Sequence, residues 1–106
     1  MFLVVFRNRK RADIDAEAYG AEAARMEARA RVQPGFLAFK SYVAEDGEVV
    51  AISEWASEDD ARRWGAEAEH RATQARGRQE YYAEYTLFAA DSPRIHQFPH
   101  QTRAKP

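Results

Sequence analysis

The chain has 106 residues and a formal net charge of −1, with 16 Lys and Arg against 17 Asp and Glu. This balance argues against a general polyanion binder, and the length suits one domain with one layer of sheet and one of helix. The absence of cysteine excludes disulfides, thiolate nucleophiles and cysteine zinc sites, and no apolar run approaches the ~20 residues of a membrane helix. We therefore expect a soluble cytoplasmic protein that binds neither nucleic acid nor membrane.

The first segment, Phe2 to Arg7, has the alternation and the aromatic and β-branched content of a strand. Asn8 continues one apolar face of this strand. The basic residues at its end are Arg7, Arg9, Lys10 and Arg11. Because no aromatic residues are interleaved with them, they predict a solvated strand end that leads into a turn, and not a stacking site for nucleic acid.

A helix is predicted from a cap at Asp13 or Asp15 to about Arg31. Small and apolar residues recur along it at steps of three and four, which predicts a stripe that faces the sheet. The stripe consists of Ala16, Tyr19, Ala23, Met26 and Ala30. The opposite side is predicted to be solvated, and it carries Glu22, Arg25 and Arg29.

A hairpin follows this helix. Two alternating runs, Phe36 to Val43 and Val49 to Trp55, flank an Asp46-Gly47 turn, and Asp-Gly supplies the positive φ of a tight hairpin. Ser57 and Asp60 then stand at the cap and third positions of a helix, which predicts that a helix starts at about residue 58.

The second helix is predicted to run unbroken to about Gly77. Its stripe is made of small residues around an indole, which either let the helix approach the sheet closely or leave a void for a ligand. This stripe consists of Ala61, Trp64, Gly65, Ala68 and Ala72. On a straight helix His70 would lie ~120° away from Trp64, opposite the stripe.

The last strand is predicted at Tyr81 to Ala90, which completes the order β-α-β-β-α-β. This order is typical of an α+β, ferredoxin-like subunit, with an antiparallel four-stranded sheet and two helices on one face. The strands are apolar on both sides, so the uncovered face predicts a homodimer joined through the sheet face. Residues 1–90 form the predicted domain.

Residues 91–106 are predicted to form a C-terminal tail, because prolines divide the segment and it has little periodicity. Ile95 and Phe98 could anchor it on the body or on a partner subunit. His96 and His100 are separated by Pro99 and have no carboxylate or cysteine partners nearby, so we predict no metal site.

Several segments together resemble the antibiotic biosynthesis monooxygenase family of the dimeric α/β-barrel superfamily, over about residues 1 to 90. They are VVFRNR in the first strand, the Tyr19 to Met26 stripe, PGFLAFKS, EDGEVVAISEW, the W-x5-H spacing of Trp64 and His70, and QARGRQEYYAEY. The resemblance implies a dimer whose sheets form a barrel and a pocket in each subunit between sheet and helices.

The resemblance also implies a function: a monooxygenase that oxidises a small aromatic metabolite, such as an anthrone or quinol, with molecular oxygen and without metal or flavin. Asn8, Trp64 and His70 are then the expected catalytic residues. Asn8 would stabilise an oxyanion, Trp64 would orient the ring, and His70 would move a proton. Tyr82 and Gln74 are the expected substrate-binding residues. Family members often have a proline two positions before the histidine, where this chain has Ala68.

Two alternatives remain. A second branch of the superfamily degrades heme with an axial histidine about ten residues after the tryptophan, but this chain has Gln74 there, and glutamine is a poor heme ligand beside imidazole. Heme degradation is therefore disfavoured, unless His70 substitutes through a helix break. No cofactor is therefore expected. The other alternative is a non-catalytic small-molecule-binding or structural dimer that shares only the fold.

Overall fold

The computed structural model describes residues 1–99, apart from the side chains of residues 68 and 69. Its sheet has four antiparallel strands in the order β2-β3-β1-β4. The elements in chain order are β1 (Phe2–Lys10), α1 (Ala16–Arg31), β2 (Phe36–Val43), β3 (Val49–Trp55), α2 (Glu58–Ala66), α3 (Ala68–Arg76), a π-helical turn (Gly77–Tyr81) and β4 (Tyr82–Asp91). The α+β class and the β-α-β-β-α-β order are confirmed. No helix within residues 1–99 is long and apolar enough to span a bilayer.

The predicted helix starts and the hairpin are confirmed by their local contacts. Asp15 caps α1 by accepting a hydrogen bond from the backbone N–H of Ala18 at 3.0 Å. Ser57 caps α2 in the same way, through the N–H of Asp60 at 3.2 Å. Gly47 has φ +91° in the hairpin turn, where a side chain would be strained.

The core lies between the helices and one face of the sheet, which we call the inner face. Its most enclosed member is Trp55, which is 2% exposed. The cluster around it consists of Phe2, Met26, Ala30, Trp55 and Trp64. Phe2 lies opposite Trp55 in the β1–β3 register, so the cluster occupies one end of the inner face.

Two surface predictions are wrong. Glu22 was expected on the solvated side of α1, but it is buried because Arg76 and Tyr81 reach it from the other end of the fold. The end of β1 is predicted to be solvated, but the side chain of Lys10, the last residue of β1, is half-buried and contacts buried Asn8. The partners of Glu22 are distant in sequence. The partner of Lys10 lies on the same face of β1.

The second helical region also differs from the prediction, because it is not one straight helix. Glu67 has φ −62° and ψ 133°, an extended conformation that separates α2 from α3. The π-helical turn Gly77–Tyr81 then leads into β4. Three helices, and not two, therefore cover the sheet.

The opposite face of the sheet, which we call the outer face, has an apolar centre. Val5 lies on it between Ile52 of β3 and Phe88 of β4, and Phe88 is 49% exposed. Tyr42 of β2 lies on the same face and is also half exposed. The apolar outer face that the sequence predicted is therefore present.

Beyond β4 the described chain, residues 92–99, forms neither helix nor strand. Ile95 and Phe98 are exposed, so they do not anchor this segment on the body of the same chain. His100 and the residues after it lie outside the described part, as does the side chain of Ala68.

Candidate active site

His70 and Trp64 form a stacked pair. Their ring centres are 4.2 Å apart and their planes are inclined by 14°. The Nδ1 atom of His70 also lies 3.0 Å from the backbone carbonyl oxygen of Trp64. The side chain that a straight helix would have turned away therefore lies directly on the indole.

The break at Glu67 produces this stacking without a proline. The N–H of Glu67 donates to the carbonyl oxygen of Trp64 at 3.1 Å, which closes the last turn of α2, and the extended ψ angle then redirects the chain. The Glu67 carboxylate is bound by the guanidinium of Arg29 on α1, with both contacts at 3.2 Å. Packing against α1 thus accompanies the change of direction at the residue where the sequence predicts a continuous helix.

The contacts of His70 fix its chemical state. A carbonyl oxygen can only accept a hydrogen bond, so Nδ1 carries the proton and Nε2 carries a lone pair in the neutral ring. Burial lowers the pKa of His70 below its ordinary value of 6.5, and the hydrogen bond to Trp64 offsets this only in part. His70 is therefore neutral at pH 7 and presents a basic nitrogen.

Asn8 lies at the other end of the inner face. It is 3% exposed and stands between Val49 of β3 and Tyr85 of β4. Its Oδ1 atom accepts a hydrogen bond from Nζ of Lys10, which orients the amide, because an ammonium can only donate. The amide NH2 makes no hydrogen bond within residues 1–99, so it can donate to a ligand.

Tyr82 lies beside Asn8 and contacts α1. Its hydroxyl oxygen is 3.4 Å from that of Tyr19, and its ring packs edge-on against Phe6 with centres 5.4 Å apart. Burial raises the pKa of Tyr82 well above its usual value, and the hydrogen bond with Tyr19 adds to this effect. The Tyr82 hydroxyl is therefore a neutral donor.

The family model for antibiotic biosynthesis monooxygenase matches residues 1–76 of the chain. The chain belongs to this family. A search of curated proteins finds no match.

Several solved bacterial structures share the fold of this chain. SnoaB from Streptomyces nogalater, a cofactor-independent oxygenase, is 23% identical, with 87% of this chain and 94% of SnoaB covered and a TM-score of 0.67. Rv0793 from Mycobacterium tuberculosis is 16% identical, with 91% and 98% covered and a TM-score of 0.77. PA3566 from Pseudomonas aeruginosa is 14% identical, with 84% and 90% covered and a TM-score of 0.69. At these identities the similarity establishes the fold.

In this family member the expected site residues fall into two groups. Trp64 and His70 lie at the end of the inner face that holds Phe2, whereas Asn8 and Tyr82 lie at the end that holds Lys10. Phe2 and Asn8 are separated by six steps along β1, or roughly 20 Å at 3.3 Å per residue. Gln74 is exposed on α3. A ligand that contacts both groups must lie along β1.

Sequence reasoning missed Lys10 and Tyr19 as members of the second group. Side chains two residues apart on a strand lie on the same face, so the alternation that places Asn8 on the inner face also predicts Lys10 there. Tyr19 was assigned to the helix stripe, but its contact with Tyr82 depends on how α1 crosses the sheet. Local sequence does not determine this crossing.

Two further features bear on the site. Within residues 1–99 no three His, Asp or Glu side chains are grouped so that they could hold a metal ion. A surface depression along the first turns of α1 is lined by Asp15, Glu17, Ala18 and Ala21, none of which belongs to either group of site residues.

Proposed function

We propose that this protein is a cofactor-independent monooxygenase that oxidises a small aromatic metabolite, anthrone- or quinol-like, with molecular oxygen. Membership of the antibiotic biosynthesis monooxygenase family and the fold shared with SnoaB support the reaction class. The observation that carries the proposal is the neutral His70, whose Nε2 lone pair lies on a ring stacked against Trp64. A partly buried neutral imidazole is suited to remove a proton from an aromatic substrate at pH 7.

The proposed reaction converts a ring CH2 group and O2 into a ring carbonyl and water. His70 Nε2 removes one C–H proton, and the electron pair left on carbon delocalises onto the ring oxygen as an enolate. The carbanion transfers electrons to O2 and forms a C–O bond, and the peroxide takes the proton back from His70. Loss of the second C–H proton with cleavage of the O–O bond releases water and leaves the carbonyl.

The other residues are proposed to hold the substrate and its developing charge. Trp64 is 9% exposed, so it is proposed to orient the substrate through His70, whose ring it holds by stacking. The oriented amide NH2 of Asn8 and the hydroxyl of Tyr82 are proposed to donate to a substrate oxygen at the Lys10 end of the inner face, where exclusion of water strengthens such hydrogen bonds. Gln74 is proposed to contact the substrate from α3.

We propose that two copies assemble through the outer face and that the protein acts in the cytoplasm. Val5, Ile52 and Phe88 form a contiguous apolar row there, and such a surface is unfavourable in water unless it is covered. A second copy presents the same row, so a two-fold contact would cover both surfaces. The absence of cysteine is compatible with a reducing compartment.

The separation of Asn8 from Trp64 favours one other function, that of a small-molecule-binding dimer that does not catalyse oxidation. In that case the two ends of the inner face would hold a ligand without bringing a base to its reactive carbon. Heme degradation has less support, because Gln74 stands where the axial ligand is expected and His70, although the break at Glu67 redirects it, is stacked on Trp64.

Anaerobic mixing with an anthrone separates these possibilities. The oxygenase proposal predicts that the protein generates the absorption band of the anthrone anion before oxygen is admitted, and that admitting oxygen converts the anion to quinone. His70→Gln is expected to bind the anthrone without forming the anion, while the exposed His96→Gln serves as the matched control. Binding without anion formation in the wild type would favour the non-catalytic function.

A further inference from the structure

Lys10 is a half-buried cation whose hydrogen-bond partner is a neutral group. It follows Asn8 on the inner face of β1, and its Nζ atom donates to Asn8 Oδ1. Other cations of the fold are paired with carboxylates: Arg9 lies 2.7 Å from Asp46, and Arg76 lies 2.7 Å from Glu22. Within residues 1–99 Lys10 has no carboxylate partner, so its charge is not neutralised.

Two tyrosine rings hold the ammonium of Lys10 in place. Its Nζ atom lies 4.7 Å from the centre of the Tyr19 ring and 5.6 Å from the centre of the Tyr82 ring. Such contacts stabilise a cation without cancelling its charge. The two tyrosine hydroxyls bond to each other, which leaves one O–H free to donate outward.

A second cation adds to the positive field at this end of the sheet. The guanidinium of Arg11 donates to the backbone carbonyls of Tyr82 and Arg78, at 3.2 and 3.3 Å, and not to a carboxylate. Glu22 is the acidic group whose charge acts on Tyr82, and it is held by Arg76. Because Arg76 holds Glu22, this carboxylate does not pair with Lys10, whose ammonium can attract an anion.

An open apolar surface adjoins these cations. Phe6 packs against Tyr85 with ring centres 5.2 Å apart, and Leu87 lies opposite Phe6 in the register with β4. Leu87 is 55% exposed and Tyr85 is 42% exposed, although both are on the inner face. A flat apolar ligand bound at this surface would cover the side chains of Leu87 and Tyr85.

We propose that Lys10, Tyr19 and Tyr82 bind the anionic oxygen of a flat aromatic ligand whose rings lie over Phe6 and Leu87. The ammonium and the free hydroxyl donate to the oxygen, and the amide of Asn8 supplies a further donor. Charge-assisted donors of this kind favour an enolate, phenolate or carboxylate over a neutral group. This inference deepens the proposed function and rests on it only for the claim that the ligand is a substrate.

Fluorescence titration with anthracene-2-carboxylate and its neutral analogue anthracene-2-carboxamide tests the inference in the intact protein under anaerobic conditions. The wild type is expected to bind the carboxylate about tenfold more tightly than the carboxamide. Lys10→Met is expected to raise the Kd of the carboxylate about 10- to 100-fold and to leave that of the carboxamide little changed. Lys10→Arg is expected to retain most of the preference.

Lys40→Met is the matched control, because Lys40 also lies 5.6 Å from a tyrosine ring, that of Tyr42, but on the outer face. It is expected to leave both affinities unchanged. If Lys10→Met does not fold, Tyr82→Phe removes only a hydroxyl and is expected to weaken carboxylate binding selectively. Equal affinity of the wild type for the two probes, or the same loss in Lys40→Met, would overturn the inference.

The visible band of 2-hydroxyanthraquinone distinguishes a phenolate ligand from a carboxylate. Binding to the wild type is expected to lower the pKa of its phenol, and binding to Lys10→Met is not; an unshifted pKa would contradict phenolate recognition. Neither titration involves turnover. Selective anion binding without oxygen uptake would support this inference and contradict the oxygenase proposal. Oxygen uptake without a preference for the anion would support the oxygenase proposal and contradict this inference.

Discussion

At the scale of single residues, His70 connects stability with pH. Its pKa in the folded protein lies below 6.5, so the unfolded chain binds a proton in a range where the folded protein does not. The free energy of unfolding therefore decreases as pH falls below 6.5. We expect His70→Gln to lose less thermal stability than the wild type between about pH 7.5 and about pH 5.5. An equal loss in both proteins, measured by thermal melts, would contradict the burial of a neutral ring.

Glu22 gives a second residue-scale prediction. Arg76 donates to it at 2.8 Å and Tyr81 at 3.3 Å, and the hydrogen bond from Arg76 lowers the pKa of Glu22 below 4.5. This contribution to stability is present above 4.5 and is lost as pH falls through the lowered pKa. Glu22→Gln should thus lower the melting temperature by several degrees at pH 7 and less in acid.

The matched control for Glu22 is Glu27→Gln on the same helix. Glu27 pairs with Arg31 at 2.7 Å in an i,i+4 contact that is partly exposed, and such pairs contribute about 0.3–0.5 kcal/mol. If the two substitutions lower the melting temperature equally, Glu22 does not join α1 to α3 in the way that the structure indicates.

At the scale of elements, Gly20 is a site where the helix can be strengthened. It lies in the interior of α1, and a Cβ atom there would meet nothing within 4 Å. Because glycine destabilises a helix interior relative to alanine, Gly20→Ala should raise the free energy of unfolding by about 0.5–1 kcal/mol in denaturant titrations.

Gly35→Ala should have the opposite effect. Gly35 has φ +80°, and a Cβ atom there would clash with the carboxylate of Asp60, which also accepts a hydrogen bond from Ser57. A stabilising Gly35→Ala or a destabilising Gly20→Ala would contradict the element boundaries described above.

Much of the element order follows from local sequence. The hairpin of β2 and β3 has the predicted bounds, because alternation and Asp46-Gly47 both act within a few residues. The caps at Asp15 and Ser57 are equally local. The break at Glu67 was not predicted, because no proline marks it, Gly65 lies within α2, and the contact with Arg29 joins residues distant in sequence.

The difference between local signals and contacts distant in sequence also explains which site residues the sequence predicts. Asn8 and Trp64 follow from alternation and helical spacing, so sequence places them on the inner face. The stacking of His70 depends on the helix break, and the contact between Lys10 and Tyr19 depends on how α1 crosses β1. Such packing geometry is determined by the whole fold.

At the scale of the whole molecule, the outer face gives a prediction about assembly. A charge placed at the centre of its apolar row should prevent a two-fold contact, so Phe88→Lys is expected to be a folded monomer and the wild type a dimer. Val32→Lys, at the exposed end of α1, should remain dimeric. Size-exclusion chromatography with light scattering measures all three proteins, and a monomeric wild type at micromolar concentration would contradict the proposed dimer.

We propose that this chain oxidises an aromatic metabolite by using its own residues and oxygen. The most direct measurement is oxygen uptake by the metal-stripped protein with a panel of anthrones and hydroquinones, with a hemin titration alongside. We predict uptake of one O2 per anthrone, with His70→Gln slower by about 100-fold or more, His96→Gln unchanged, and no hemin binding spectrum. No uptake across the panel, or equal uptake by His70→Gln, would contradict the claim.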